Sequence, residues 1–483
     1  MSLLRKTLKA AAITFGLLTV VCSLLWYKFS DNISPDMWRH AEYVWHGYTP
    51  ITGDRTPGEM IRYAKRRLEG HPNLEAIALP SLHWAQTRVE RPVPVGPLPT
   101  LGKGQQPTSL APIDSQRPTV TAYARNTEEL VTAINTAHAG QTILIAPGIY
   151  RINKKIKTGF SGTPLQSITV RADQPGQVII EFNAEEGFFV SHAYWIFENL
   201  QIQGVCKSDK DCEHAFHIVG QAHHVIVRNN VIKDFNAHVK INGFSGDWPD
   251  HGLIKNNTLT NSLPRNTYVP ITPIDLVGAS NWQVEDNIIS NFIKNDGDKI
   301  SYGVFMKGGG RDGRIERNLI ICTPTDISQP GVRVGLSFGG GTTEFIYCRD
   351  KKCATEHTGG LAANNIIAHC NDFGIDINKS KEILIAHNTL INTAGIDVRQ
   401  EPASATLYGN LLEGQARRRN GAKSVLQMNE TRPMEKLLIN ADKLQLSWLD
   451  NPEKIPSIMT VPSDFYGKNR ADGTFPGAIA PLH

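Results

Sequence analysis

Eight five-residue runs along the chain share one pattern of apolar and polar positions. They are GFFVS (187–191), AFHIV (215–219), HVKIN (238–242), PIDLV (273–277), GVFMK (303–307), GLSFG (335–339), GIDIN (374–378) and GIDVR (395–399). The second and fourth positions are apolar in every run, from Phe188 and Val190 to Ile396 and Val398. Alternation with a period of two is a strand pattern, and it predicts these residues inside and the third and fifth positions outside.

After most of these runs comes a second short β-rich stretch with an asparagine: VIVRNNVI, GLIKNNTL, WQVEDNII, GRIERNLI, LAANNII, ILIAHNTL and ATLYGNLL. The shared residues are Asn230, Asn257, Asn287, Asn318, Asn365, Asn388 and Asn410, at spacings of 27, 30, 31, 47, 23 and 22. One short strand pattern per repeat, repeated at this period, predicts a solenoid rather than a helical array or a propeller. An inward asparagine at a tight corner bonds backbone groups that the turn leaves unpaired, so the seven are expected to be structural.

The rest of the chain reads as a support for this array. Arg5, Lys6 and Lys9 precede 17 uncharged residues, Ala10–Trp26. With no small-residue cleavage site after it, this run predicts a single-pass signal anchor in the inner (plasma) membrane, with the bulk of the chain on the periplasmic or extracellular side. A cleaved signal peptide is the alternative. Residues 30–90 form a partly helical neck, where Thr56, Pro57 and Gly70 supply start and stop signals. This neck is a candidate contact for a membrane-protein partner. Residues 91–118 are a Pro/Gly-rich linker, 119–415 the solenoid and 416–483 a C-terminal segment packing on it.

Composition narrows the class. The chain has 483 residues, 50 Lys+Arg and 46 Asp+Glu, a net charge of +4. That near-neutral balance gives no reason to expect nucleic acid as a partner. Cys22 lies in the apolar run, and six further cysteines follow it. Cys206 with Cys212 and Cys348 with Cys353 each flank a short charged loop, which predicts local disulfides in an oxidising compartment. Neither pair has the spacing of a zinc knuckle. Cys322 and Cys370 follow their ladder asparagines by four and five residues, which predicts that they lie close on neighbouring coils.

The runs together resemble the right-handed parallel β-helix superfamily that contains pectate lyases, chondroitinase B and alginate lyases. AGQTILIAPGIYRI (139–152) is similar to its opening coil and SDFYGKNRADGTFPGAIA (463–480) to its closing segment. The resemblance implies an all-β fold over about 119–480. Stacked coils then turn the third positions into a surface column: Phe189, His217, Lys240, Asp275, Phe305, Ser337, Asp376 and Asp397. The fifth positions run beside it, including Asn242, Lys307, Asn378 and Arg399.

In the lyases that this chain resembles, a strand lysine removes the proton beside a uronate carboxylate, an arginine assists, and acidic residues hold calcium. Lys307 is similar in position to that lysine. Asp275 and Lys240 stand beside it, and Arg333 is the arginine candidate. His217, Asn242, Phe305, Asp376, Asn378, Asp397 and Arg399 are expected to bind sugar. Calcium enters through the resemblance. The glutamates that would hold it are missing from ISYGVFM (300–306), while NDGDK (295–299) reads first as a turn, with calcium binding through Asp296 and Asp298 as its alternative. DWPDHG (247–252) faintly resembles the Asp/His motif of alginate epimerases. The expected function is a membrane-anchored β-helix protein acting on or binding an acidic polysaccharide, by β-elimination or epimerisation. The alternative is a non-catalytic carbohydrate-binding or scaffold subunit of an envelope complex.

Overall fold

The structure, a computed structural model, describes residues 49–52, 57–68, 71–89, 95–102 except 97, and 120–480 except 325, 326, 328, 341, 342, 471 and 472. Two sheets of eleven strands and one of twelve make up almost all of it. Each coil visits the three sheets in turn, as in Ala237–Asn242, Leu253–Lys255 and Thr258–Thr260. The coil strands pair in parallel with their counterparts one coil away, so the array is a parallel β-helix. The ten coil strands of the eleven-stranded sheet that concerns function begin, in chain order, with β1 (Ile156–Lys157), β2 (Glu186–Val190), β3 (His214–Val219), β4 (Ala237–Asn242) and β5 (Ile274–Val277). They continue through β6 (Ile300–Lys307), β7 (Val332–Phe338), β8 (Ile375–Asn378), β9 (Gly395–Arg399) and β10 (Gln415–Arg419).

The sixteen residues read as inward are all at most 1% exposed. Phe188 and Phe216 continue the stack between coils, with ring centroids 5.0 Å apart. The asparagines form an unbroken ladder at the corner between the second and third sheets. Each donates its backbone N–H and its Nδ2 to the Oδ1 of the next, at 2.8–3.1 Å, and Asn429 adds a rung after Asn410. The second Nδ2 proton goes back to a carbonyl, as from Asn287 to Ile254 at 3.0 Å. The residue before each rung turns the corner in the left-handed region; Asn229, Asn256, Asp286, Arg317, Asn364 and His387 have φ between 53° and 61°. Asparagine and aspartate tolerate that conformation best, and the ladder bonds hold the others in it.

The ends are closed. Helix α3 (Thr127–Thr136) buries Leu130 and Ile134 at the first coil. Asn126 Oδ1 accepts from Glu129 N at 2.9 Å, while Glu129 accepts from Arg125 N, a reciprocal cap. The β-helix continues past residue 415 through a further coil, Gln415–Thr431. The segment after it packs Met434, Leu437, Leu438 and Phe465 on the outside of the third sheet, and Ile455 and Val461 on the second. Helices α1 (Pro57–Leu68) and α2 (Pro72–Val89) lie within the neck. The apolar run Ala10–Trp26 lies outside the described residues, among which no helix is long and apolar enough to cross a membrane. Cys206–Cys212, Cys322–Cys370 and Cys348–Cys353 are disulfides.

Candidate functional site

Strand register builds the site. Phe189 pairs with His217, His217 with Lys240, Lys240 with Asp275, and Asp275 with Phe305. Ser337, Asp376, Asp397 and Arg417 continue the column. The whole third-position column therefore stands in one line, but its two halves differ in access.

Along β2 to β4 the outward side chains Phe189, His217, Lys240 and Asn242 are half-buried; Asp275 on β5 is buried, and Lys307 at the end of β6 is again half-buried. His217 Nδ1 lies 2.5 Å from Glu186 Oε1, and its Nε2 lies 2.8 Å from Asn242 Oδ1. The hydrogen bond with His217 holds Glu186 down to a pKa of about 2, with Lys155 adding to it against the cost of burial. Lys240 Nζ donates to Asp275 Oδ2 at 2.6 Å, while Asp275 Oδ1 is buried without a hydrogen-bond partner. Burial opposes the charge on Asp275, but Lys240 and Lys307 outweigh it and keep the carboxyl below its ordinary pKa. His214, beneath this row, is driven down to about 3 by burial and stays neutral.

Lys307 closes the open half. Its strand partner Val277 follows Asp275 by two residues, so its ammonium lies diagonally across from that carboxylate. It is half-buried, sits 4.5 Å from the centre of the Phe305 ring, and forms no ion pair among the described residues. Burial lowers its pKa; Lys240 acts in the same direction, while Asp275 and Glu356 oppose. The glycine corner that follows has a backbone reason. Gly308 and Gly309 have φ of 76° and 81°, and a Cβ on Gly308 would approach Val277 Cγ1 to 2.7 Å.

From Phe305 onward the column is covered, and the expectations for six residues change. Phe305 is 5% exposed, with Tyr302 stacked on it at 4.6 Å, so it offers no face to a sugar. Asp376 is gripped by Arg399 through two bonds of 2.8 and 2.9 Å, and Asp397 by Arg419 at 2.7 Å. The like charges of neighbouring coils are thus neutralised in place, and Asp376, Asp397, Arg399 and the buried Asn378 do not stand ready for substrate. Arg333 pairs with Ser301, four residues from the Phe305–Ser337 pair, roughly 13 Å along the strand. Its guanidinium donates to the carbonyls of Ile327, Gln329 and Pro330 at 2.7–3.1 Å, so it is not the arginine beside Lys307.

Three contributors lay outside the sequence pattern. Glu186 stands one residue before its run, and extending the runs by one position would have found it opposite His214. Lys155 pairs with Glu186. Glu356, in the insertion between β7 and Leu361, accepts from Gly308 N at 2.9 Å. Asp250 of DWPDHG is held by Arg349, and His251 stacks on His224 at 5.0 Å. Asp298 pairs with Lys294, and Asp296 caps Gly297 N. Among the described residues no group of three or more His, Cys, Asp or Glu side chains is placed to hold a metal. The acids nearest Lys307 are already paired in the chain, so these residues do not fit the calcium implied by the resemblance.

One family model describes the same kind of fold for part of the chain. Residues 111–266 match a family model described as "Pel9A-like, right handed beta helix region". Among solved structures, the chain is similar to pectate lyase Pel9A, with a TM-score of 0.47 and 12% identity over 75% of this chain and 90% of that one. It is also similar to an alginate lyase from Paenibacillus sp. str. FPU-7, at 0.39 and 14% over 64% and 100%. A rhamnogalacturonan lyase gives 0.41 and 13% over 72% and 91%. No curated protein matches the chain in sequence. With three parallel sheets the chain is a parallel β-helix protein, similar over residues 111–266 to the Pel9A-like right-handed β-helix region.

Proposed function

We propose that the chain acts on an acidic polysaccharide along the open half of this sheet, with Lys307 as the base that takes the proton beside a uronate carboxylate. The observation that carries the reading is the Lys307 ammonium: half-buried, in no ion pair among the described residues, and lowered in pKa by its burial. A base works best when its pKa approaches the working pH. Lys240 spends one N–H on Asp275 and keeps two for a substrate carboxylate. As Lys307 takes the proton, the C–H electron pair moves into the carboxylate. In β-elimination that pair then forms a carbon–carbon double bond and expels the glycosidic oxygen, which takes a proton from water and leaves as a hydroxyl. In epimerisation a proton from water is delivered to the opposite face.

The test is Lys307→Arg beside Lys307→Ala, assayed on uronate polymers for unsaturated product and for epimerised sugar. Arginine keeps the charge but does not deprotonate in the accessible range. A base role therefore predicts lost turnover with binding kept in Lys307→Arg. The alternative, a carbohydrate-binding subunit without turnover, is supported by the withdrawal of Asp376 and Asp397 into arginine pairs. It predicts that Lys307→Arg is tolerated and that Lys307→Ala weakens binding by about 1–3 kcal/mol. If neither variant changes turnover or affinity, this site is wrong.

The proposal includes a single-pass anchor at residues 10–26 and a β-helix outside the cytoplasm, for which three disulfides are support. A reporter fused after His483 that is active only in the cytoplasm would rule out that topology.

A further inference from the structure

Three large apolar side chains stand in a row on the surface: Phe345, Ile346 and Tyr347, exposed by 66%, 73% and 54%. They form one short 3-10 turn within the insertion that follows β7. Contiguous exposed apolar groups mark a contact surface.

The turn is fixed beside the candidate site from both directions. Upstream, Gly340 lies against the covered column; a Cβ there would meet Phe305 Cε2 at 3.1 Å and Asp376 Oδ2 at 3.5 Å. Downstream, Arg349 N donates at 2.8 Å to the carbonyl of Gly308, the residue after Lys307. Two residues span at most about 7 Å, so Tyr347 stands near the end of β6. The insertion is also braced. The Cys348–Cys353 disulfide closes it, and Arg349 forks onto both carboxylate oxygens of Asp250, each at 2.8 Å. Lys351 and Lys352, exposed in the same loop, add positive charge.

We infer that this turn is a second glycan subsite, where Phe345 and Tyr347 stack on pyranose rings of the acidic polysaccharide whose uronate sits at Lys307. The inference rests on the proposed function and adds what that site lacks. Beside Lys307 the sheet face offers charges but no open ring: Phe305 is covered, and the half-buried Phe189 stands four coils away. Sugar rings carry apolar faces as well as charge, and the braced turn presents rings beside two lysines, so both recognition elements meet on one rim. A backbone braced in advance loses little entropy on binding.

The experiment is calorimetric titration of the full chain with polygalacturonate and with alginate, each as polymer and as trimer. The wild type is compared with a Phe345→Ser, Tyr347→Ser double variant and with Lys307→Ala. Half-burying two aromatic side chains is worth about ten-fold in affinity. The double variant should therefore bind polymer about ten-fold more weakly and trimer almost as the wild type does. Lys307→Ala should weaken both. Unchanged polymer affinity in the double variant, with Lys307→Ala impaired, overturns the subsite and leaves the proposed function standing. Wild-type binding of neither polymer overturns both. Self-association in sedimentation that the double variant abolishes would assign the turn to a protein contact and also overturn the subsite.

Discussion

Replacing Asn287 by alanine removes one rung from the middle of the asparagine ladder. Its Oδ1 accepts from Asn257 N at 2.9 Å and Asn257 Nδ2 at 3.0 Å, and its Nδ2 donates to Asn318 Oδ1 at 2.9 Å and Ile254 O at 3.0 Å. After the change, Asn257 N–H is buried with no acceptor, while Asn257 Nδ2 keeps Val227 O and Asn318 Oδ1 keeps Asn287 N–H. One orphaned buried donor costs about 1–3 kcal/mol, and the weakened neighbours with the small void add about 1. The expected loss is about 3 kcal/mol. Asn429→Ala is the internal control. It ends the ladder and is only partly buried, so water replaces most of what it gives and the loss should be about 1 kcal/mol. Urea unfolding followed by far-ultraviolet circular dichroism reads both. If Asn287→Ala costs no more than Asn429→Ala, the ladder is not what holds the corners.

Further predictions concern charge. A base at Lys307 makes activity rise with pH through its pKa. Asp275→Asn removes an attraction that keeps the proton on, so that limb should move to lower pH, whereas Lys240→Met removes a repulsion and should move it to higher pH; shifts of the same sign would refute the base role. Glu186 is depressed from 4.5 to about 2, so its contribution to stability is present above about pH 4.5 and lost as the pH falls toward 2. Glu186→Gln should therefore flatten the fall of the urea midpoint across that window; an unchanged slope would show that His217 does not hold Glu186. Arg349→Ala should loosen the insertion by about 1 kcal/mol, given the part-exposed pair, seen as roughly five-fold faster hydrogen exchange at residues 343–356; unaltered exchange would mean that the disulfide alone braces it.

Much of this architecture was legible because a parallel coil has a strict rule. Once the runs around Phe188, Phe216 and Val239 are aligned, period two decides which side chains face in, and coil stacking decides which lie side by side. That rule delivered the column from Phe189 to Asp397 and the ladder from Asn230 to Asn410. It says nothing of access, which depends on what crosses the face. Phe305 and Asp376 are in the expected line, yet Gly340 and Tyr302 cover one and Arg399 takes the other. Arg333 failed for a related reason. A guanidinium follows the nearest carbonyls, and those of Ile327, Gln329 and Pro330 cannot be located by repeat alignment.

The ladder's uneven spacing has a consequence for how such a chain can change. Asn318 and Asn365 are 47 residues apart in sequence, Asn388 and Asn410 only 22, yet both steps close with the same bond from backbone N–H to side-chain Oδ1, at 3.0 and 2.9 Å. The additional residues leave at the corner after the site sheet and return without altering a rung. Lengthening a loop costs little once its ends are pinned. That corner is therefore a port, where new segments can be grafted over the sheet face while the coils beneath keep their register.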